Sequence, residues 1–317
     1  STGITNNTYV SFARGTQGSN LRISFTNDDI KGMLQNSHSG RNTVFATYSA
    51  DLSSHFTVAG NLTYTNNILK GEFNDAYSNQ SSGSFSSWFH RDLSMDKLRE
   101  YAHVPTPIGT YQSWNLAANP GSVGAVNNTY KGNYWYNFFT YFDLINNQQK
   151  RDNLVGNLSL TYKITNLRKL TGTVRKNSNT NYYQFIVPSE LETGATQTGV
   201  KASYSTGTLK SDNYQYDLVA SFNKAFIDNK LGVNLTAGAT DYRTKSSSTE
   251  MATKNGLNVP GLYAISNSKD QPTLTNSRSQ YENRALFAAG DIEWNHILDA
   301  TFALRNDWYS TLLPDNN

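Results

Sequence analysis

Apolar side chains recur at every second residue of this chain, over runs longer than a soluble strand needs. From 154 to 164, Leu154, Gly156, Leu158, Leu160, Tyr162 and Ile164 fall on one face of an extended backbone. Val155, Asn157, Ser159, Thr161 and Lys163 fall on the other. The same division separates Phe56, Val58, Gly60, Leu62 and Tyr64 from Thr57, Ala59, Asn61, Thr63 and Thr65. It returns over 214–223, 231–240 and 298–305. These runs span roughly 9–13 residues, against about 5–6 for a soluble strand and about 9–11 for a tilted transmembrane one. Ten candidate strands result: 7–14, 19–27, 41–52, 55–66, 152–164, 167–176, 212–225, 229–245, 281–294 and 297–309.

The joints between them alternate in length. Short turns fall at Gly15–Gly18, Ser53–Ser54, Thr165–Asn166, Phe226–Asp228 and Asn295–His296. Long connections fall at Asp28–Gly40, Asn67–Arg151, Asn177–Ser211 and Ser246–Gln280. Tight turns on one rim and long loops on the other are the pattern of an outer-membrane barrel. Lipid admits only helices and closed barrels, because an unpaired backbone group there costs several kcal/mol. A soluble β-sandwich would alternate too, but with shorter, evenly spaced strands. The expected fold is therefore all-β, a transmembrane antiparallel barrel segment with long extracellular loops. Tyr64, Tyr242 and Trp308 lie near long-loop ends, and Phe56, Phe226 and Trp294 near short-turn ends, as two interfacial girdles would require.

Composition removes other classes. At ~150 residues per domain, 317 residues suggest about two domains, yet a barrel can use that length as one unit. Only 16% of residues are charged and the net charge is +3, so nucleic acid is not an expected partner. There is no cysteine, which excludes disulfides, thiolate metal sites and thiol nucleophiles. No run of ~18 apolar residues exists to form a transmembrane helix. Ser1 to Asn7 is polar and lacks the apolar core of a secretion signal. The expectation is a processed start or a piece of something longer.

Asn67–Arg151 is the segment where function is expected. Its aromatic content is too high for a disordered tail. Ser94–Tyr101 reads as a short helix with Ser94 as N-cap and Asp96 in the first turn. Trp88, Trp114, Tyr134 and Trp135 are the candidate substrate contacts, since such rings offer a flat apolar face with a polar edge. The competing reading is that these rings pack the loop onto itself. No catalytic constellation is visible. His38, His55, His90, His103 and His296 are scattered. Asp28-Asp29 lacks EF-hand spacing, and Gly15-Thr16-Gln17-Gly18 lacks the lysine and helix of a phosphate loop. No cofactor or metal site is expected.

The last residues are more specific. Arg305-Asn306-Asp307-Trp308-Tyr309-Ser310-Thr311-Leu312-Leu313-Pro314 resembles a signature of SusC-like TonB-dependent transporters of Bacteroidetes. Asn258 to Tyr263 and Tyr281 to Gly290 are similar to that family's approach to it, and Ser86 to Arg99 resembles its long loop. Asn133-Tyr134-Trp135 resembles an Asn-Pro-Tyr-Trp motif without the proline, and Val10 to Gly15 resembles an early strand-ending turn with Arg14 in place of one glycine. The resemblance implies a barrel of roughly 22 strands, a lumenal plug, a SusD-like lipoprotein over the mouth and energy delivered by TonB. It implies import of oligosaccharide, with oligopeptide as the alternative. It places this chain, residues 1–317, as about ten strands, from the second to the eleventh, with 67–151 as an extracellular loop and the plug absent. Edges at 7–14 and 297–309 then need further strands. An adhesive or structural barrel is the reading outside transport, and an embedded hydrolase lacks the residues for it.

Overall fold

The computed structural model describes residues 2–71, 91–107, 109, 111, 113–114, 136–192 and 201–312. Ten strands form one antiparallel meander in chain order, with β1 and β10 at the edges of an open sheet. They are β1 Ile4–Thr16, β2 Ser19–Lys31, β3 His38–Asp51, β4 Phe56–Lys70, β5 Gln148–Thr165, β6 Arg168–Val187, β7 Ser203–Phe226, β8 Leu231–Leu257, β9 Ser268–Trp294 and β10 Leu298–Tyr309. All ten expected strands are present and the five tight turns fall where expected. At the last of them Asn295 and His296 both sit at positive φ, 51° and 58°. That is the conformation whose twist matches the right-handed twist of the flanking strands.

Register carries the face assignment across the sheet. Leu158 pairs with Gly60 on one side and Val174 on the other; Val174 pairs with Tyr216. Directly paired residues share a face. One face therefore gathers Val10, Phe12, Ile23, Phe25, Val44, Leu62, Leu158, Leu160, Leu218, Leu235, Ile292, Phe302 and Leu304. All of these are solvent-exposed; Leu158 is 59% exposed and Leu304 71%. A water-soluble protein does not carry an apolar surface of that extent. The height is right for a bilayer. On β8 the outward apolar run is Leu231 to Ala239, nine residues or ~30 Å of strand, which stands ~23 Å tall at a ~40° tilt, against a band of about 25 Å.

The hairpins are staggered as a tilted barrel wall requires. Arg168 pairs with Phe222, four residues before β7 ends at Phe226, so the next turn lies lower on the sheet. Glycines permit two close strand contacts. A Cβ at Gly60 would lie 2.8 Å from the Asn157 carbonyl, and one at Gly156 would lie 2.9 Å from both the Asn61 carbonyl and Leu62 Cδ1. Gly156→Val is expected to cost about 1–3 kcal/mol by overpacking and to lower the folded, heat-modifiable fraction on gels.

Two expectations need correction. Strands β5 to β9 run well past their expected outer ends; β8 reaches Leu257 and β9 begins at Ser268. The connection expected over Ser246–Gln280 shrinks to 258–267, and that over Asn177–Ser211 to 188–202. A 27-residue strand is ~90 Å long, so most of β8 stands above the membrane as a paired ribbon. Tyr242 is also not a girdle residue. It pairs with Gln215 and Asn283 on the polar face, while Tyr216, one residue away from Gln215, faces outward.

Candidate functional site

The face opposite the belt is mainly polar. One rung of directly paired residues crosses all ten strands: Ala13, Arg22, Thr47, Asn61, Asn157, Arg175, Gln215, Tyr242, Asn283 and Tyr309. Nine of these ten carry a polar group, which suits a wall facing water. Carboxylates on this face are held by cross-strand partners. Asp217 is ion-paired with Arg175 and accepts hydrogen bonds from Thr240 Oγ1 at 2.8 Å and Gln215 Nε2 at 3.0 Å. Asp28 is ion-paired with Arg41 at 2.5 Å and accepts a hydrogen bond from Asn7. Arg305 and Asp307 of the C-terminal motif form a bidentate pair, both bonds 2.8 Å, and Asn283 donates to Asp307 at 3.3 Å. Alternation places that pair inward and Trp308 outward.

At the middle of the wall Asn157, Arg175, Asn177, Asn213, Gln215 and Tyr242 line a cavity of about 260 Å³. The side-chain carbonyls of Asn67, Asn181, Asn213 and Asn283 are buried without a hydrogen-bond partner among the described residues. All four lie on this polar face. Buried acceptors left open are costly unless water or a ligand's N–H or O–H groups meet them. This is a surface built to be wet and to offer hydrogen bonds to a polar guest.

Among the described residues, a hydrophobic core exists only above the strands. Helix α1, Met95–Tyr101, is capped by Ser94, whose side chain accepts from Lys97 N, and carries Asp96 in its first turn, as expected. Helix α2, Phe138–Leu144, is capped by Asn137. Its aromatic residues are buried almost all round: Phe138, Phe139, Tyr141 and Phe142 join Leu98, Ala102, Tyr136, Ile145 and Leu191. Leu34 from the β2–β3 turn and Val187 from β6 pack against this cluster. Asn137 Nδ2 donates to the Leu98 carbonyl at 2.7 Å, tying α2 to α1. Asn36 Nδ2 donates to the carbonyls of Phe142 and Asp143, both at 3.0 Å. The Tyr136 hydroxyl donates to the Leu191 carbonyl. Burial, with the nearby Glu192 charge, pushes that phenol well above its usual range, so it stays a donor at any ordinary pH. The β8–β9 loop joins through Ser189, whose N–H donates to the Tyr263 hydroxyl at 3.2 Å and whose hydroxyl accepts from Gly261 N at 2.9 Å. The long segment is thus anchored onto the β2–β3 and β6–β7 connections, and the second of these is tied in turn to the β8–β9 loop.

Of the four expected contacts, Trp114 is half-buried and packs against this aromatic cluster. Trp88, Tyr134 and Trp135 lie outside the described residues. The lumenal residues Arg175, Asn213, Gln215 and Tyr242 were not singled out by sequence reasoning. Strand parity already places them inward, but nothing in their local sequence distinguishes them from the rest of the polar face. No cluster of three or more His, Asp or Glu suited to a metal ion occurs among the described residues.

No family model matches the sequence, and no curated protein does. Solved structures do. The RagAB peptide transporter superposes with a TM-score of 0.70 at 12% identity, over 98% of this chain and 32% of that one. The RagAB peptide importer in its closed-closed state gives 0.73, with the same identity and coverage. The unliganded ferric citrate transporter FecA gives 0.50 at 7% identity, over 97% of this chain and 38% of that one. The chain spans about a third of the length of these structures. Those proteins are transporters, and this chain has the fold of a ten-stranded section of their barrels.

Proposed function

We propose that this chain supplies part of the wall and the outer lid of an outer-membrane importer for a polar nutrient, an oligosaccharide first. The observation that carries this is the polar rung from Arg22 to Tyr309, set against an apolar belt on the reverse of the same strands. A wall so divided encloses water and excludes lipid. The open asparagine carbonyls and the Tyr242 ring match what a sugar offers, hydroxyl donors around an apolar ring face. Oligopeptide is the second reading. It is favoured by the alternating Arg and Asp groups on the wall and by the cargo in the names of the RagAB structures.

Under this reading a SusD-like lipoprotein closes over the outer lid, and TonB acts through a plug that other parts of the protein provide. Trp88, Trp114, Tyr134 and Trp135 meet the substrate at the mouth before the lumenal cavity receives it. The test is binding of the complete protein to a glycan panel and a peptide panel. Asn213→Leu with Tyr242→Ala is expected to weaken binding of the accepted ligand about tenfold, the equivalent of one or two lost hydrogen bonds. Failure of both panels, with unchanged growth on polymers after gene deletion, removes nutrient import.

A further inference from the structure

Above the apolar belt, the outward face of β6 to β9 is basic. Reading upward, paired outward residues are Tyr216, Asp241 and Arg284; then Lys176, Tyr214, Arg243 and Glu282; then Asp212, Lys245 and Gln280; then Lys210, Ser247 and Arg278. The six cations exceed the three carboxylates by three charges. Arg243 and Arg284 share Asp241 and Glu282, with contacts from 2.6 to 3.8 Å, and Lys210 lies 3.1 Å from Asp212. Lys245 and Arg278 have no ion pair among the described residues. Both line a polar hollow of about 340 Å³ with Lys210, Asn276 and Gln280.

Directly below, the surface changes character without a break. Tyr216, Leu218, Ala239, Leu286 and Trp308 line a groove of about 390 Å³ whose upper end is closed by Asp241 and Arg284. Below it Ala220, Ala237 and Ala288 sit side by side on β7, β8 and β9, flanked by Phe222, Leu235 and Phe302, and line a second groove of about 580 Å³. Small residues along β8 thus leave a channel down the belt, walled by bulky neighbours, that ends at a surplus of positive charge. That is complementary to one kind of molecule: a phosphate-bearing lipid, with its acyl chain in the channel and its headgroup among the cations.

We propose that the outward face of β6 to β9 is a binding site for a phosphorylated lipid of the outer leaflet, with Lys245 and Arg278 holding the phosphate and the Ala237–Ala239 groove holding an acyl chain. The site rests on the membrane orientation of the wall and is independent of what the lumen carries. The test is native mass spectrometry of the complete protein, with phosphorylated lipid A and its dephosphorylated form as probes. The phosphorylated probe is expected to be retained at least tenfold better. Lys245→Glu with Arg278→Glu is expected to abolish that difference, and Ala239→Phe to lower retention several-fold with the charges intact. Should the double reversal fail to fold, Lys245→Gln with Arg278→Gln serves in its place. Equal retention of the two probes, indifference to the charge variants, or full displacement by millimolar inorganic phosphate overturns the site. Nutrient binding by the lumen is expected to be unchanged in all these variants, so the two proposals fail separately.

Discussion

Leu158→Arg is expected to destabilise the folded barrel in lipid vesicles by about 2–4 kcal/mol, whereas Val155→Arg is expected to be close to neutral. Both residues are apolar and both are substantially exposed, Leu158 at 59% and Val155 at 42%. They lie three residues apart on β5 and point to opposite faces. Composition and strand position are therefore matched, and only the medium differs. Leu158 meets hydrocarbon near the middle of the belt, between Gly60 and Val174. A guanidinium there must snorkel or draw water into the bilayer. Val155 borders the lumenal cavity, where an added cation is hydrated. Denaturant titration of the intact protein in vesicles measures both. Equal costs for the two substitutions would mean that the faces do not differ in the way described.

The second large effect is expected at the outer lid. Phe142 is 3% exposed and contacts the rings of Phe138 and Tyr141 at centroid distances of 4.7 and 5.5 Å. Phe142→Ala should cost about 3–5 kcal/mol, the usual range for an aromatic cavity. That loss falls on the lid alone, because among the described residues the strands share no core with it beyond Val187 and the Leu34 turn. The expected result is faster backbone hydrogen exchange in 95–101 and 136–145 with unchanged protection in β4 and β5. Protection lost equally in strands and lid would show that the two do not unfold separately.

How much of this could be read from the residues depends on where the membrane stops. Within the belt each strand has oil on one side and water on the other, so Leu231, Val233 and Leu235 alternate with Gly232, Asn234 and Thr236, and the period is plain. Above the belt both faces are wet. The upper half of β8 reads Ser246-Ser247-Ser248-Thr249-Glu250, polar at every position, and looks like a loop although it is a paired strand. The missed strand ends at Val187, Ser203, Leu257 and Ser268 share this cause. Helix α2 was illegible for the opposite reason. Phe138 to Phe142 is buried nearly all round, so no amphipathic stripe marks it. Helix α1, with an exposed face and a serine cap, was legible. The lumenal cavity lay hidden because its residues come together from β5, β6, β7 and β8, and only register joins Asn157 to Tyr242.

The absence of cysteine from the sequence allows the central claim to be tested site by site. Single replacements Leu158→Cys, Leu235→Cys, Asn157→Cys and Asn234→Cys, each carrying an environment-sensitive probe in the membrane-embedded protein, report the medium at that position. The account predicts that lipid-soluble quenchers reach the probes at 158 and 235, and that water-soluble reagents reach those at 157 and 234. The reverse pattern, or water access at all four, would contradict it.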